Sequence, residues 1–150
     1  MKMSKLSIIV PAYNEEETLE IFLNEVNKKS VELPLEKTYF FINDGSTDNT
    51  LEVLKNLTTK YDNVKYISFS RNFGKEAALI AGLEVSDGDF VTVMDADLQD
   101  PPELLNEMFT KITEGYDAVG TRRVSRVGEP PIRSFFAITF YKLVSKISDA

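Results

Sequence analysis

Short apolar runs and amphipathic stretches take turns along this chain, and their order predicts its layout. Leu6–Val10 is an apolar run of strand length that Pro11 is expected to halt. Leu19, Phe22, Leu23 and Val26 then recur at i, i+3, i+4 and i+7, one face of a helix. Tyr39–Ile42 predicts a second strand, followed by the turn chemistry of Asn43-Asp44-Gly45-Ser46. Leu51, Leu54, Leu57 and Tyr61 mark a second helix, Val64–Phe69 a third strand, and Ala77–Val85 a third helix closed by Asp87-Gly88. Phe90–Met94 is the fourth strand. Leu104, Leu105, Met108, Phe109 and Ile112 share one side of a fourth helix that Gly115 ends, and Ala118–Gly120 predicts a short fifth strand.

Strands alternating with helices of this length imply an α/β fold: a mostly parallel sheet with helices over both faces. In such sheets ligands bind beyond the carboxyl ends of the strands. Tyr13-Asn14-Glu15, Asn43-Asp44, Arg71-Asn72 and Asp95-Ala96-Asp97 all follow strands directly, so the polar chemistry gathers on one rim.

Composition narrows the function. The chain has no cysteine and no histidine, which removes disulfides, thiolate metal sites and the commonest general base, and fits a reducing compartment. A formal charge of −7 argues against a nucleic-acid partner. Residues 1–119 carry 11 Lys and Arg against 22 Asp and Glu, whereas residues 120–150 carry six against two. A basic, aromatic-rich end on an acidic body suggests an anionic partner there, a phosphate group or a membrane surface. The first residues show no signal peptide, and no stretch reaches the ~20 apolar residues of a membrane span.

The segment Val91–Glu103 carries the most specific chemistry. A strand ends in Asp95 and Asp97, with the amide of Gln99 two positions on. These are hard oxygen ligands suited to Mg²⁺ or Mn²⁺, ions that bind through one or two carboxylates plus substrate phosphates. Asp100-Pro101-Pro102-Glu103 then reads as a helix start, with Asp100 as cap, Pro101 at the first helical position and Glu103 three residues after the cap. An isolated Asp-x-Asp is more often plain turn and cap chemistry; the neighbouring motifs reverse that balance. The first strand–helix turn lacks Gly-x-Gly-x-x-Gly. Its Glu15-Glu16-Glu17 would repel a pyrophosphate, Glu16 and Glu17 being read as first-turn acids that complement the helix dipole. Tyr13 is instead suited to stacking on a base, with Glu15 or Asp44 accepting from base or ribose.

Ile9–Glu16, Asn43–Asp48, Ser70–Leu79, Asp95–Glu103 and Gly115-Tyr116-Asp117, in this order and spacing, resemble the family 2 glycosyltransferases. The likeness is to their polyprenyl-phosphate branch, of the bactoprenol glucosyltransferase and dolichol-phosphate mannosyltransferase type, and runs from about Leu6 to the chain end. It implies a GT-A (Rossmann-like) fold, a nucleotide-sugar donor, Mg²⁺ or Mn²⁺, and a polyprenyl-phosphate acceptor at the cytoplasmic face of the cell membrane. Matched by position, it puts Pro11, Tyr13, Glu15, Asp44, Asp95 and Ala96 around the nucleotide. It puts Asp95, Asp97 and Gln99 on the metal, and Asp97, Arg122 and Arg133 in catalysis, the arginines on phosphate. Asn43 departs from the pattern, since the family often has Asp there.

The resemblance implies an inverting transfer of a hexose, from UDP-glucose or a related UDP-hexose, to the lipid phosphate. GDP-mannose as donor, a polysaccharide hydroxyl as acceptor, and a catalytically silent interaction module are the alternatives; a homo-oligomer is left open. Residues 1–131 read as the nucleotide-sugar-binding core. Residues 132–150 read as an amphipathic helix rich in Phe135, Phe136, Phe140 and Tyr141, meant for the bilayer interface or for partner helices. Relatives continue into an acceptor segment and membrane helices, so the chain is read as C-terminally truncated.

Overall fold

A computed structural model describes residues 3–121. Strands β1 (Lys5–Ala12), β2 (Glu36–Asn43), β3 (Val64–Ser68) and β4 (Phe90–Val93) form one sheet in the order β3-β2-β1-β4, every pair parallel. Helices α1 (Leu19–Lys29), α2 (Thr50–Lys60) and α3 (Lys75–Val85) make the crossovers, and α4 (Leu104–Thr113) follows β4. The expected parallel α/β sheet is therefore present. The order also fixes where a ligand should sit: the chain steps outward from β1 to β3, then returns to the other side of β1. The crevice between the ends of β1 and β4 is the topological switch point.

The residues of β1 explain its central place. Ser7, Ile8, Ile9 and Val10 are all fully buried, a continuous buried run rather than an alternating one, with the Ser7 hydroxyl accepting from Gly88 N–H. Ile8, Val10 and Ala12 join Tyr39 and Phe41 of β2 in a core closed by Leu19, Phe22, Leu23 and Val26 of α1 and by Leu54 and Leu57 of α2. The helix face expected for α1 is the face that is buried. Phe22 meets Phe41 edge to face at 6.1 Å, an arrangement that adds roughly 0.5–1.5 kcal/mol to the burial itself. The buried Tyr39 hydroxyl donates to Asn27 Oδ1 at 2.8 Å, and burial pushes that phenol up.

On the other face Ile9, Phe40 and Ile42 pack under Ala78 of α3. α3 can lie close because Gly82 faces Ile9: a Cβ there would fall 2.4 Å from Ile9 Cγ2. Among the described residues no helix covers β4 on this side, and Val91 and Val93 stay 43% and 44% exposed. Among the described residues, helices cover both faces of β1 and β2.

Four boundaries differ from expectation, each for a local reason. β1 runs through Pro11 to Ala12, because Pro11 faces the flank that β4 has already left: the last bonds there are at Ile9, where Met94 N–H donates to Ile9 O. Glu15, Glu16 and Glu17 precede α1 rather than forming its first turn, since α1 begins at Leu19. Asp100 does not cap α4; Pro101 and Pro102 carbonyls accept from Leu104 and Leu105 in a preceding turn, and Glu103 pairs with Lys29 at 2.7 Å. Ala118–Gly120 forms no strand, having no backbone hydrogen bond to β4 among the described residues. The expected helix from Ile132 and the boundary at residue 131 lie outside the described residues.

Candidate functional site

The turns after β1, β2 and β4 and the loop into α3 enclose a cavity of about 360 Å³ at the switch point. Pro11, Tyr13, Glu15, Asp44, Asn72, Gly74, Lys75, Asp95, Ala96 and Asp97 line it. All six residues expected around a nucleotide are brought together here, and Asp97 with them. Gln99 is not among the lining residues. Its N–H donates to Asp97 Oδ1 at 3.1 Å, a local turn closed across Leu98, whose φ is +56°. Arg122 and Arg133 lie outside the described residues.

The cavity walls are tied together by side chains acting on backbone. Asn14, at φ +57°, accepts from Thr47 N–H at 2.8 Å, while its own N–H donates to Ser46 Oγ at 2.9 Å. Glu15 N–H donates to Thr50 Oγ1 at 2.8 Å, and the Glu15 carboxylate accepts from the Thr18 hydroxyl. Glu16 reaches across to accept from Asn49 N–H at 2.8 Å, so it serves the start of α2 and not that of α1. Tyr13 stays 45% exposed, an open ring at the cavity mouth.

Asp48 completes this lattice. Burial pushes its carboxyl up, but the hydroxyl and N–H of Thr50 and the N–H of Glu16 donate to it and together hold it below the usual carboxylate range. The folded value lies below the unfolded one, so the stabilisation is complete above about pH 4 and is lost as pH falls through the folded value. Urea midpoints at pH 5 and pH 3 should therefore fall further for the wild type than for Asp48→Asn; equal falls would contradict the assignment.

Asp44 is 4% exposed, and its two oxygens accept from Phe73 N–H at 2.7 Å and Gly74 N–H at 2.9 Å. Besides lining the cavity, it fixes the loop that delivers Lys75. Asn43 explains its own departure from the family pattern. Buried at 1% exposure, it donates through Nδ2 to Ser68 Oγ and accepts from Ser46 N–H, using both ends of an amide. Asn72, Gly74 and Lys75 are the lining residues to which the sequence assigned no role, although Arg71-Asn72 directly after a strand marked their rim.

Lys75 Nζ lies 2.6 and 2.8 Å from the two oxygens of Asp95. Among the described residues no group of three or more acidic, Cys or His side chains is placed to hold an ion unaided. Asp95 and Asp97 fit Mg²⁺ or Mn²⁺ as ions that take their remaining ligands from water and phosphate. A second cavity of about 280 Å³ sits at the opposite end of the strands, between β4 and α4, lined mainly by Leu6, Phe90, Leu105, Met108, Phe109 and Ile112. Apart from Asp89, Thr92 and Asp117 its walls are apolar, and it lacks the converging carboxylates of the first.

Residues 7–143 match the family described as glycosyl transferase family 2. The chain belongs to that family. It is 42% identical over 144 residues to the bactoprenol glucosyl transferase of Shigella phage SfX, covering 96% of this chain and 47% of that protein. It is 41% identical over 126 residues to the undecaprenyl-phosphate 4-deoxy-4-formamido-L-arabinose transferase of Proteus mirabilis, covering 83% and 39%. The chain thus spans less than half the length of these relatives. Among solved structures, Staphylococcus aureus TarS 1–349 in complex with UDP superposes with a TM-score of 0.59 at 26% identity, over 79% of this chain and 38% of that one. The parallel four-stranded sheet with its flanking helices is a GT-A-like fold. In this chain the cavity opens at the ends of β1, β2 and β4, where ten residues of four segments meet.

Proposed function

We propose that this chain is the donor-binding part of a glycosyltransferase that moves a hexose from a UDP-sugar to a polyprenyl phosphate at the cytoplasmic face of a membrane. The observation that carries the reading is the convergence of an open aromatic ring, an amide-anchored carboxylate, a lysine and the Asp95/Asp97 pair in one cavity. The acceptor class is supported by relatives named for bactoprenol and undecaprenyl phosphate, and the base by a neighbour holding UDP.

Tyr13 stacks on the base, with Glu15 and Asp44 beside the nucleoside. Asp95 and Asp97 would hold Mg²⁺ or Mn²⁺; Gln99, which does not line the cavity, is a third ligand by the family resemblance alone. When bound, the ion supplies neutralisation of the charge that grows on the departing diphosphate. A lipid phosphate is already anionic near neutral pH, so the acceptor needs little help from a general base, which suits a chain without histidine. From the sequence, Arg122 and Arg133 are assigned to hold that acceptor phosphate opposite the leaving group. Attack in line at the anomeric carbon inverts its configuration.

Calorimetric titration of UDP against GDP with Mn²⁺ tests the donor. UDP is expected to bind more tightly; equal affinities or a preference for GDP would move the reading to a mannosyl donor.

A further inference from the structure

Four carboxylates, Glu15, Asp44, Asp95 and Asp97, line the donor cavity against one ammonium, Lys75. Such a wall repels a diphosphate unless positive charge is supplied at the moment of binding. Lys75 is built to supply part of it. It is the first residue of α3, and the backbone just before it is pinned by the two Asp44 bonds to Phe73 and Gly74. Its four-carbon stem is flexible, so a fixed root carries a charge that can swing. In the structure that charge rests on both oxygens of Asp95, which are the atoms a divalent cation would take. The pair is half exposed, with 53% of the Lys75 and 43% of the Asp95 side chain open to water, so it is weak enough to be displaced.

We propose that Lys75 is an exchanging counterion: it neutralises Asp95 in the empty cavity and passes to the diphosphate when donor and cation enter together. The inference rests on the donor-site reading above and deepens it, because it makes cation and nucleotide binding mutually dependent. Free cation must compete with Lys75 for Asp95, whereas cation arriving with a diphosphate gives the displaced ammonium a new partner.

The test uses the 150-residue chain and Lys75→Met, with Lys75→Arg as the charge-conserving variant. Mn²⁺ alone is followed by the paramagnetic resonance of the free ion, and UDP by calorimetry at saturating Mn²⁺. Lys75→Met should bind Mn²⁺ alone about three- to fivefold more tightly, since a half-exposed competitor is gone. The same variant should bind UDP about tenfold more weakly, since a charge-assisted contact to phosphate is lost. Lys75→Arg should keep most of the UDP affinity. Opposite shifts are the signature, because a merely structural role would weaken both. If the wild type shows Mn²⁺-dependent UDP binding but Lys75→Met moves neither affinity, or weakens both, the exchange is wrong and the donor site stands. If the wild type shows no Mn²⁺-dependent UDP binding, the donor site falls and the exchange with it.

Discussion

Replacing Asp95 or Asp97 with Asn should lower Mn²⁺-dependent affinity for UDP by at least about a hundredfold while leaving the far-ultraviolet circular dichroism unchanged. The size follows from position. Outer-shell partners of a metal cost about 10–100-fold when removed, so a direct ligand should sit at or beyond the top of that range. The silence in the fold follows from the contacts. The Asp95 carboxylate has Lys75 as its hydrogen-bond partner, and the Asp97 carboxylate has the N–H of Gln99 two residues on. Neither carboxylate reaches into the core, so both can become amides without exposing a buried donor or acceptor. Undiminished affinity in either variant, with a normal spectrum, would remove that carboxylate from the metal.

Gly45→Ala should destabilise the chain by roughly 2–4 kcal/mol and distort the donor cavity. Gly45 sits at φ +65°, a conformation L side chains rarely adopt, in the turn immediately after β2. A Cβ there would lie 2.2 Å from the carbonyl carbon of Arg71 and 2.6 Å from its Cα. The obstacle is backbone, which cannot rotate aside like the end of a side chain. The loop Arg71–Gly74 would have to retreat, straining the two bonds by which Asp44 holds Phe73 and Gly74. Against a total stability of about 5–15 kcal/mol for a domain, this is a large fraction. Urea unfolding measures it; a loss below about 0.5 kcal/mol would show that the turn relaxes freely.

What could be read from the sequence was what one periodicity or one strand end dictates. Leu19, Phe22, Leu23 and Val26 declared a helix face by spacing alone, and that face is buried. Tyr13, Asp44 and Asp95 announced themselves as polar residues directly after apolar runs, and the sheet brings them to one cavity. Features that depend on a neighbouring segment were illegible. Pro11 looked like a strand breaker because the sequence does not tell that β4 has ended on its flank. Glu16 looked like a dipole complement to its own helix, whereas it bonds to Asn49 across the rim. Lys75 carried no motif value of its own; its meaning is the 2.6 Å contact with a residue 20 positions away. The helix expected over the second face of β4 is not found among the described residues, where Val91 and Val93 stay exposed.

The central claim is that the cavity at the ends of β1, β2 and β4 is a nucleoside diphosphate site. The most direct measurement is a two-dimensional ¹H–¹⁵N titration of the 150-residue chain with UDP in the presence of Mg²⁺. The account predicts shifts concentrated at Tyr13, Asp44–Ser46, Asn72–Lys75 and Ala96-Asp97, and their loss when Mg²⁺ is withheld. Shifts clustered instead around Phe90, Leu105 and Phe109, or no saturable shifts at all, would contradict it.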